Sequence, residues 1–356
     1  MATTSRPLRP HVPSDRRLVH WLPSETSTPV SAEDGSRVSQ VLAFAWSTDT
    51  LRTYGAGLLA WHVWHDQRGS PEAERYFVAA LAGSFSGSTI ASYVYGIRAW
   101  HTIHRQPWNV DKITLDALLS AANALTPESS KCKPREPYTV EILEMIIAKL
   151  DLTNPLDAAV AACLTTTFYS AARLGEFTVP TLDGFDRHKH ISRSGVGSKT
   201  DRDGNTTKTF QLPSTKVSVT AGEEVAWAAQ TGPSDPQYLI DNHLRINDPQ
   251  PDEALFAYLH KGLRRPLTKR AFLERVHRAL RDAGQSPLPG HGIRIGSTLE
   301  YLLRGVPFDV MKVIGRWAGD SFILYLRKHG AILARYLQAK PELAQQVTAL
   351  CMPPVR

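Results

Sequence analysis

Four side chains in one C-terminal stretch, and two far upstream, are of the types needed to attack a phosphodiester. In GHGIRIGSTLEYLLRGVPFDVMKVIGRWAGDSFILYLR, residues 290 to 327, His291 and Arg294 stand three apart, Trp317 follows, and Tyr325 comes eight residues after it. ARLGE at 172 to 176 adds Arg173. A phosphodiester carries a full negative charge, and attack adds charge to its non-bridging oxygens; fixed guanidinium forks offset both. His291, one helical turn from Arg294, can face the same way as a hydrogen-bond donor or proton acceptor. Trp317 offers only an indole N–H, which suits an oxyanion. Tyr325 is then the candidate nucleophile, its phenol needing nearby positive charge to ionise. The leaving oxygen wants a proton, and Lys216 in LPSTKVSV is the candidate acid, with Lys199 and Lys208 in the same region as alternatives.

These residues must be positioned by a chain of 356 residues, long enough for two cores plus tails. Lys and Arg number 41 against 34 Asp and Glu, net +7, which leans towards a polyanionic partner. The three cysteines are too scattered for a disulfide framework or a metal knot. His188 and His190 in DRHKH lack partners at ligand spacing, so no metal site is expected there. No apolar leader or membrane-spanning run appears, so a soluble, non-secreted protein is expected.

The expected architecture is mainly α with a small β-sheet. Residues 1–36, rich in Pro, Ser and Arg, are expected to be a flexible arm whose Arg6, Arg9, Arg16 and Arg17 either touch phosphates or stay solvated. Residues 37–126 carry helical periodicity, with Val41, Phe44, Leu51, Leu58 and Trp61 on one face, then PEAERYFVAALAGSF, then Ser88 to His104, then Thr114 to Leu125. Arg52, Arg98, His101 and Arg105 there form a candidate DNA-facing set, the alternative being a solvated charged face. Residues 127–138 read as a basic linker containing Lys131, Lys133 and Arg135. Residues 139–345 form the second domain and 346–356 a tail. Thr139 caps a helix to about Leu150, and Pro155 opens a helix through Ser170 that is apolar all round and so buried. KTFQLP and KVSVTA predict a hairpin, SRSGVGSKTDRDGNTTK an exposed loop, and GEEVAWAAQ a return to helix. Thr268 caps a basic amphipathic helix ended by Gly284. Pro307 starts a short helix with Val310, Val313 and Ile314 inward.

In order, ARLGE, TK on a hairpin, HGIR and GRWAGDSFILY resemble the catalytic domain of the tyrosine recombinase (phage integrase) superfamily. TLRTYGAGLLAWHVWHD and STIASYVYGIRAWH resemble that family's SAM-like core-binding domain, most like crypton-type recombinases of fungal mobile elements. The resemblance spans roughly residues 40 to 340. It implies that Arg173 and Arg294 bind the scissile phosphate with help from His291 and Trp317, the family's second histidine being Trp here. It also implies that Glu176 orients the pocket, that Lys216 is the acid, and that Tyr325 forms a 3′-phosphotyrosyl link without metal or other cofactor. The implied partner is double-stranded DNA, bound by a homodimer or tetramer that exchanges a C-terminal segment, for which Ala331 to Leu350 is the candidate. A nuclear location follows only from that substrate and the eukaryotic likeness. Two other readings share the residues: a domesticated DNA-binding protein without turnover, and a type IB topoisomerase.

Overall fold

The computed structural model describes residues 9–23, 37–38, 41–68, 74–131, 135–215, 218–317 and 319. Two compact units divide the chain, residues 1–133 and 134–356. The first is helical: α1 (Arg17–His20), α2 (Thr48–Arg68), α3 (Glu74–Leu81), α4 (Gly87–Ile103) and α5 (Lys112–Ala124). Ser86 and Asp111 cap α4 and α5 by accepting the Thr89 and Thr114 N–H groups, which satisfies backbone donors the first turn leaves over. Leu58 and Trp61 of α2 meet Ile97, Trp100 and Ile103 of α4, with Phe77 of α3, in one buried cluster.

Residues 9–23 correct the expectation of a free arm. Leu18 and Trp21 are buried in the same cluster. The Trp100 indole donates to the Trp21 carbonyl at 2.6 Å, and the Trp21 indole donates to the Pro10 carbonyl at 3.0 Å. Arg9 is paired with Asp66 at 2.5 Å, and Arg17 donates to the Gly55 carbonyl at 3.1 Å. Leu18 and Trp21, in a proline-rich stretch, supply the burial that ordering it requires. Phe44, expected to be on an inward face, is 89% exposed in a short 3-10 turn, because the helix starts only at Thr48.

The second unit is built round α7 (Pro155–Tyr169), which follows α6 (Val140–Ile147) and is buried from Asp157 to Tyr169. It touches α8 (Leu174–Phe177), α9 (Pro236–Asn247), α10 (Lys269–Asp282) and α11 (His291–Leu303), and strands from two sheets. A helix apolar on every side can only be the centre of such an arrangement. One sheet is antiparallel in the order β1 (Val196–Thr200), β2 (Thr206–Leu212), β3 (Glu223–Ala228). A two-stranded ribbon, β4 (Tyr258–His260) with β5 (Leu263–Arg265), completes the strands named among the described residues.

Two expectations fail in this sheet. The Gly-rich stretch expected as loop holds β1 and the start of β2, joined through Asp201, whose carboxylate accepts the Asp203 and Asn205 N–H groups. GEEVAWAAQ is strand rather than helix: Val225 and Trp227 alternate inward, and Phe210 of β2 pairs with Val225. A period of two there outweighs the helix propensity of Glu and Ala.

The last helix among the described residues, α12 (Phe308–Ile314), buries Phe308 and Met311, while Val313 is 76% exposed and Val310 is also exposed. Of the expected inward set, Ile314 packs against the Phe308 and Met311 cluster, while Val310 and Val313 face outward. No described helix is long and apolar enough to cross a membrane.

A cationic candidate active site

Arg173 is held where α7 gives way to α8. The buried helix ends at Tyr169, Ala171 turns the chain at φ 48°, and Arg173 becomes the N-cap of α8. Glu176, in the first turn of α8, accepts the Arg173 N–H at 2.8 Å and Arg173 Nη1 at 3.0 Å. The second contact fixes the direction of a guanidinium that is still partly exposed. Burial pushes the Glu176 carboxyl up, but Arg316, then Arg173, outweigh it and leave its pKa below the ordinary value.

Arg294 sits one turn into α11 and is 3% exposed. Gly296 makes that depth attainable: a Cβ there would lie 1.7 Å from the Tyr138 carbonyl oxygen, so only glycine lets α11 press against the 136–138 segment. Arg294 Nη2 donates to the Gly315 carbonyl, and its guanidinium carbon lies 4.5 Å from the centre of the Trp317 ring. Trp317 folds back over Gly315, where a Cβ would stand 1.6 Å from the indole. The ring thus works as a flat shelf for a cation, a favourable stacking geometry.

His291 opens α11 and is exposed on one side. Partial burial lowers its pKa first, followed by the positive charges of Arg135, Arg294, Arg173 and Lys269. Those four side chains come from four places in the sequence, so the imidazole marks where their fields overlap. An entering phosphate would cancel much of that field and move the imidazole back towards protonation. The neutral ring can therefore take a proton that a reaction on the phosphate releases.

The structure thus brings together Arg173, Glu176, His291, Arg294 and Trp317. Lys216 and Tyr325 lie outside the described residues, as does Lys133. Of the alternative lysines, Lys199 is paired with Glu224 at 2.5 Å, and Lys208 lies on β2 opposite Ser198 and Trp227. Among the described residues no group of three or more His, Cys, Asp or Glu is arranged to hold a metal ion.

Three contributors escaped the reading of the sequence. Lys269 belongs to the basic helix, with nothing in its spacing to aim it at His291. Arg316 lies inside the GRW motif but was given no role, and Glu223 lies in the stretch expected as helix. Arg135, expected as a DNA contact from the linker, also adds to the field at His291.

The first unit's candidate DNA contacts are arranged differently. Arg52 is 59% exposed and pairs with Asp49 at 3.0 Å, and Arg98 is exposed on α4. Arg105 follows α4 at φ 54°. His101 is engaged in packing, with Nδ1 2.9 Å from the Pro107 carbonyl and its ring against Trp100 and Trp108. Lys131 pairs with Glu128.

No protein-family model matches this chain, and no curated protein sequence matches it. Solved structures do. The XerH site-specific recombinase bound to palindromic difH substrate, in a post-cleavage complex, superposes with a TM-score of 0.54 at 16% identity, over 85% of each chain. A lambda integrase dimer bound to a COC′ core site gives 0.39 at 15% identity, over 83% of this chain and 95% of that one. An Flpe–Holliday junction complex gives 0.38 at 14% identity, over 90% of each chain. The first likeness carries the argument about fold: a helical first unit, and a mixed second unit with small antiparallel sheets, share the fold of the XerH structure.

Proposed function

We propose that this chain breaks and rejoins double-stranded DNA at defined sites through a covalent 3′-phosphotyrosyl intermediate. The observation that carries the reading is the convergence of Arg173, Arg294, Arg135 and Lys269 on His291, in a chain sharing the XerH fold. In this reading the two guanidiniums hold the scissile phosphate and balance the charge that builds on its oxygens. His291, neutral in the free protein, accepts the phenolic proton as Tyr325 attacks. The Tyr325 oxygen bonds to phosphorus as the bond to the 5′ oxygen breaks, and Lys216 gives that oxygen a proton. Rejoining runs the same steps with a new 5′-hydroxyl, so the bond energy stays in the protein–DNA link. The charge balance is met by side chains, without a metal or other cofactor. Arg52, Arg98, Arg105, Lys131 and Lys133 would add phosphate contacts along the duplex. Assembly as a homodimer or tetramer on paired sites, a mobile-element origin of crypton type, and a nuclear location belong to the same proposal.

The test is a pool of nicked suicide duplexes of randomised sequence, in which cleavage loses the short 5′ fragment and traps the adduct. The parent protein should give a protein-linked band on a denaturing gel, and Tyr325→Phe should give none. An equal band from Tyr325→Phe would remove Tyr325 as nucleophile. Binding without any adduct would favour a DNA-binding protein without turnover, and relaxation of supercoiled plasmid without strand exchange would favour a topoisomerase.

A further inference from the structure

We propose that Arg316 is a positioning residue, a strut that ties Glu176 to Glu223 at the start of β3 and so holds the carboxylate that steers Arg173 towards the scissile phosphate. The inference rests on the DNA-cleavage reading above and names a coupling within that site.

The geometry is a continuous set of charge-assisted bonds. Arg316 Nη2 donates to Glu176 Oε2 at 2.6 Å, and Nη1 donates to Glu223 Oε2 at 2.8 Å. Beyond the first carboxylate stands Arg173, as described. Beyond the second, the Thr215 hydroxyl donates to Glu223 Oε2 at 2.5 Å and accepts the Ser218 N–H at 3.0 Å. The Thr215 N–H donates to the Ser218 carbonyl at 2.9 Å, tying the end of β2 to the segment that leads into β3. Arg316 thus links the N-terminus of α8, the turn after α12, and the start of β3. Its side chain is 9% exposed and both terminal nitrogens are committed to carboxylates, so it braces the site rather than binding a phosphate.

The backbone supports the same conclusion. Arg316 has φ 55°, a region glycine enters without strain and other residues enter at a cost. The two carboxylate bonds of its side chain offset that cost. Charged groups meet Glu176 from two sides: Arg173 at the start of its own helix, and Arg316 from the turn after α12, with Glu223 of β3 sharing Arg316. From α11, His291 feels the charges of Arg294 and Arg173.

Arg316→Gly is the discriminating variant, because glycine accepts the backbone conformation and removes only the strut. Single-turnover adduct formation on the randomised nicked pool, from pH 6 to pH 9, should fall by about 100-fold, with DNA affinity within about 3-fold of the parent. Without Arg316, burial raises the Glu176 pKa, so the deficit should deepen as pH falls and shrink as pH rises. Arg316→Lys should recover part of the rate, and Glu223→Gln should lose less than Arg316→Gly. A parent-like rate and pH profile for Arg316→Gly would overturn the strut, as would an equal loss at every pH or a loss of binding that parallels the loss of cleavage. If the parent forms no adduct, the cleavage reading fails by itself. The strut is then read by carboxyl NMR titration of Glu176 in the parent and in Arg316→Gly: a raised pKa in the variant supports it, and an unchanged pKa rejects it.

Discussion

The two units carry cations in opposite ways. In the second, Arg294 is buried, bonded to the Gly315 carbonyl and stacked on Trp317, and Arg173 is steered by Glu176. In the first, Arg52 and Lys131 project into solvent beside carboxylates three residues away. A buried, oriented charge acts on one point in space and is little screened, whereas exposed ones add a diffuse and salt-sensitive attraction. Cations of the first kind are suited to stabilising a transition state, and those of the second to holding a long polyanion.

The sharpest way to break the comparison is Arg294→Ala, for which single-turnover cleavage should fall by at least about 10²- to 10³-fold while binding to intact duplex changes far less. A proportional loss of binding would place Arg294 with the diffuse set.

Gly296→Ala attacks the seat of Arg294 rather than its charge. The new methyl would meet the Tyr138 carbonyl oxygen, and the chain should lose about 1–3 kcal/mol of stability by thermal or denaturant unfolding. An unchanged midpoint would mean that α11 can retreat from the 136–138 segment at no cost.

The histidines sharpen the same contrast. His62 in the first unit is held down to about 3, first by burial among Trp21, Trp61 and Trp100 and only then by Arg9. In unfolded chain it would titrate near its ordinary value, so between about 6.5 and about 3 the unfolded state binds more protons. The stabilising contribution is full above that window and lost as pH falls through it, and His62→Phe should flatten the acid side of a melting-temperature profile. His291 owes part of its lowering to cations, of which Arg135 and Lys269 are exposed and Arg173 half-buried, so raising salt should raise its pKa by NMR and leave His62 unmoved.

The smallest effect is expected at the surface of the first unit. Arg98→Ala should weaken DNA binding a few-fold, alike across sequences, and reduce the slope of log affinity against log salt by roughly one. A selective loss at one base position would show that Arg98 reads sequence.

How far the site was legible depended on the range of the interaction involved. Arg173, His291, Arg294 and Trp317 are held through local features, a helix N-cap, one helical turn and a tight glycine turn, and were identifiable by type and spacing, whereas Arg316 is held by carboxylates distant in the chain. The caps Thr139 and Thr268 were legible for the same reason. Glu223 was not, because strand or helix in GEEVAWAAQ is decided by pairing with β2. Lys269 was not, because a helix start carries no mark of what it faces. Residues 9–23 were not, because their composition is that of a solvated tail, and Leu18 and Trp21 reverse the outcome only where a partner surface exists.

The sequence by itself determined which chemistry is possible: paired arginines, a histidine one turn away, a buried helix ending beside the first arginine, and glycines where backbones must touch. Only the tertiary structure decided which charges act together. It joined Arg135, Arg173, Lys269 and Arg294 at one imidazole and ran Arg316 between two carboxylates 47 positions apart, Glu176 and Glu223. Helices and caps arise from bonds among near neighbours, while the electric field at a point sums over every charge nearby, whatever its place in the chain.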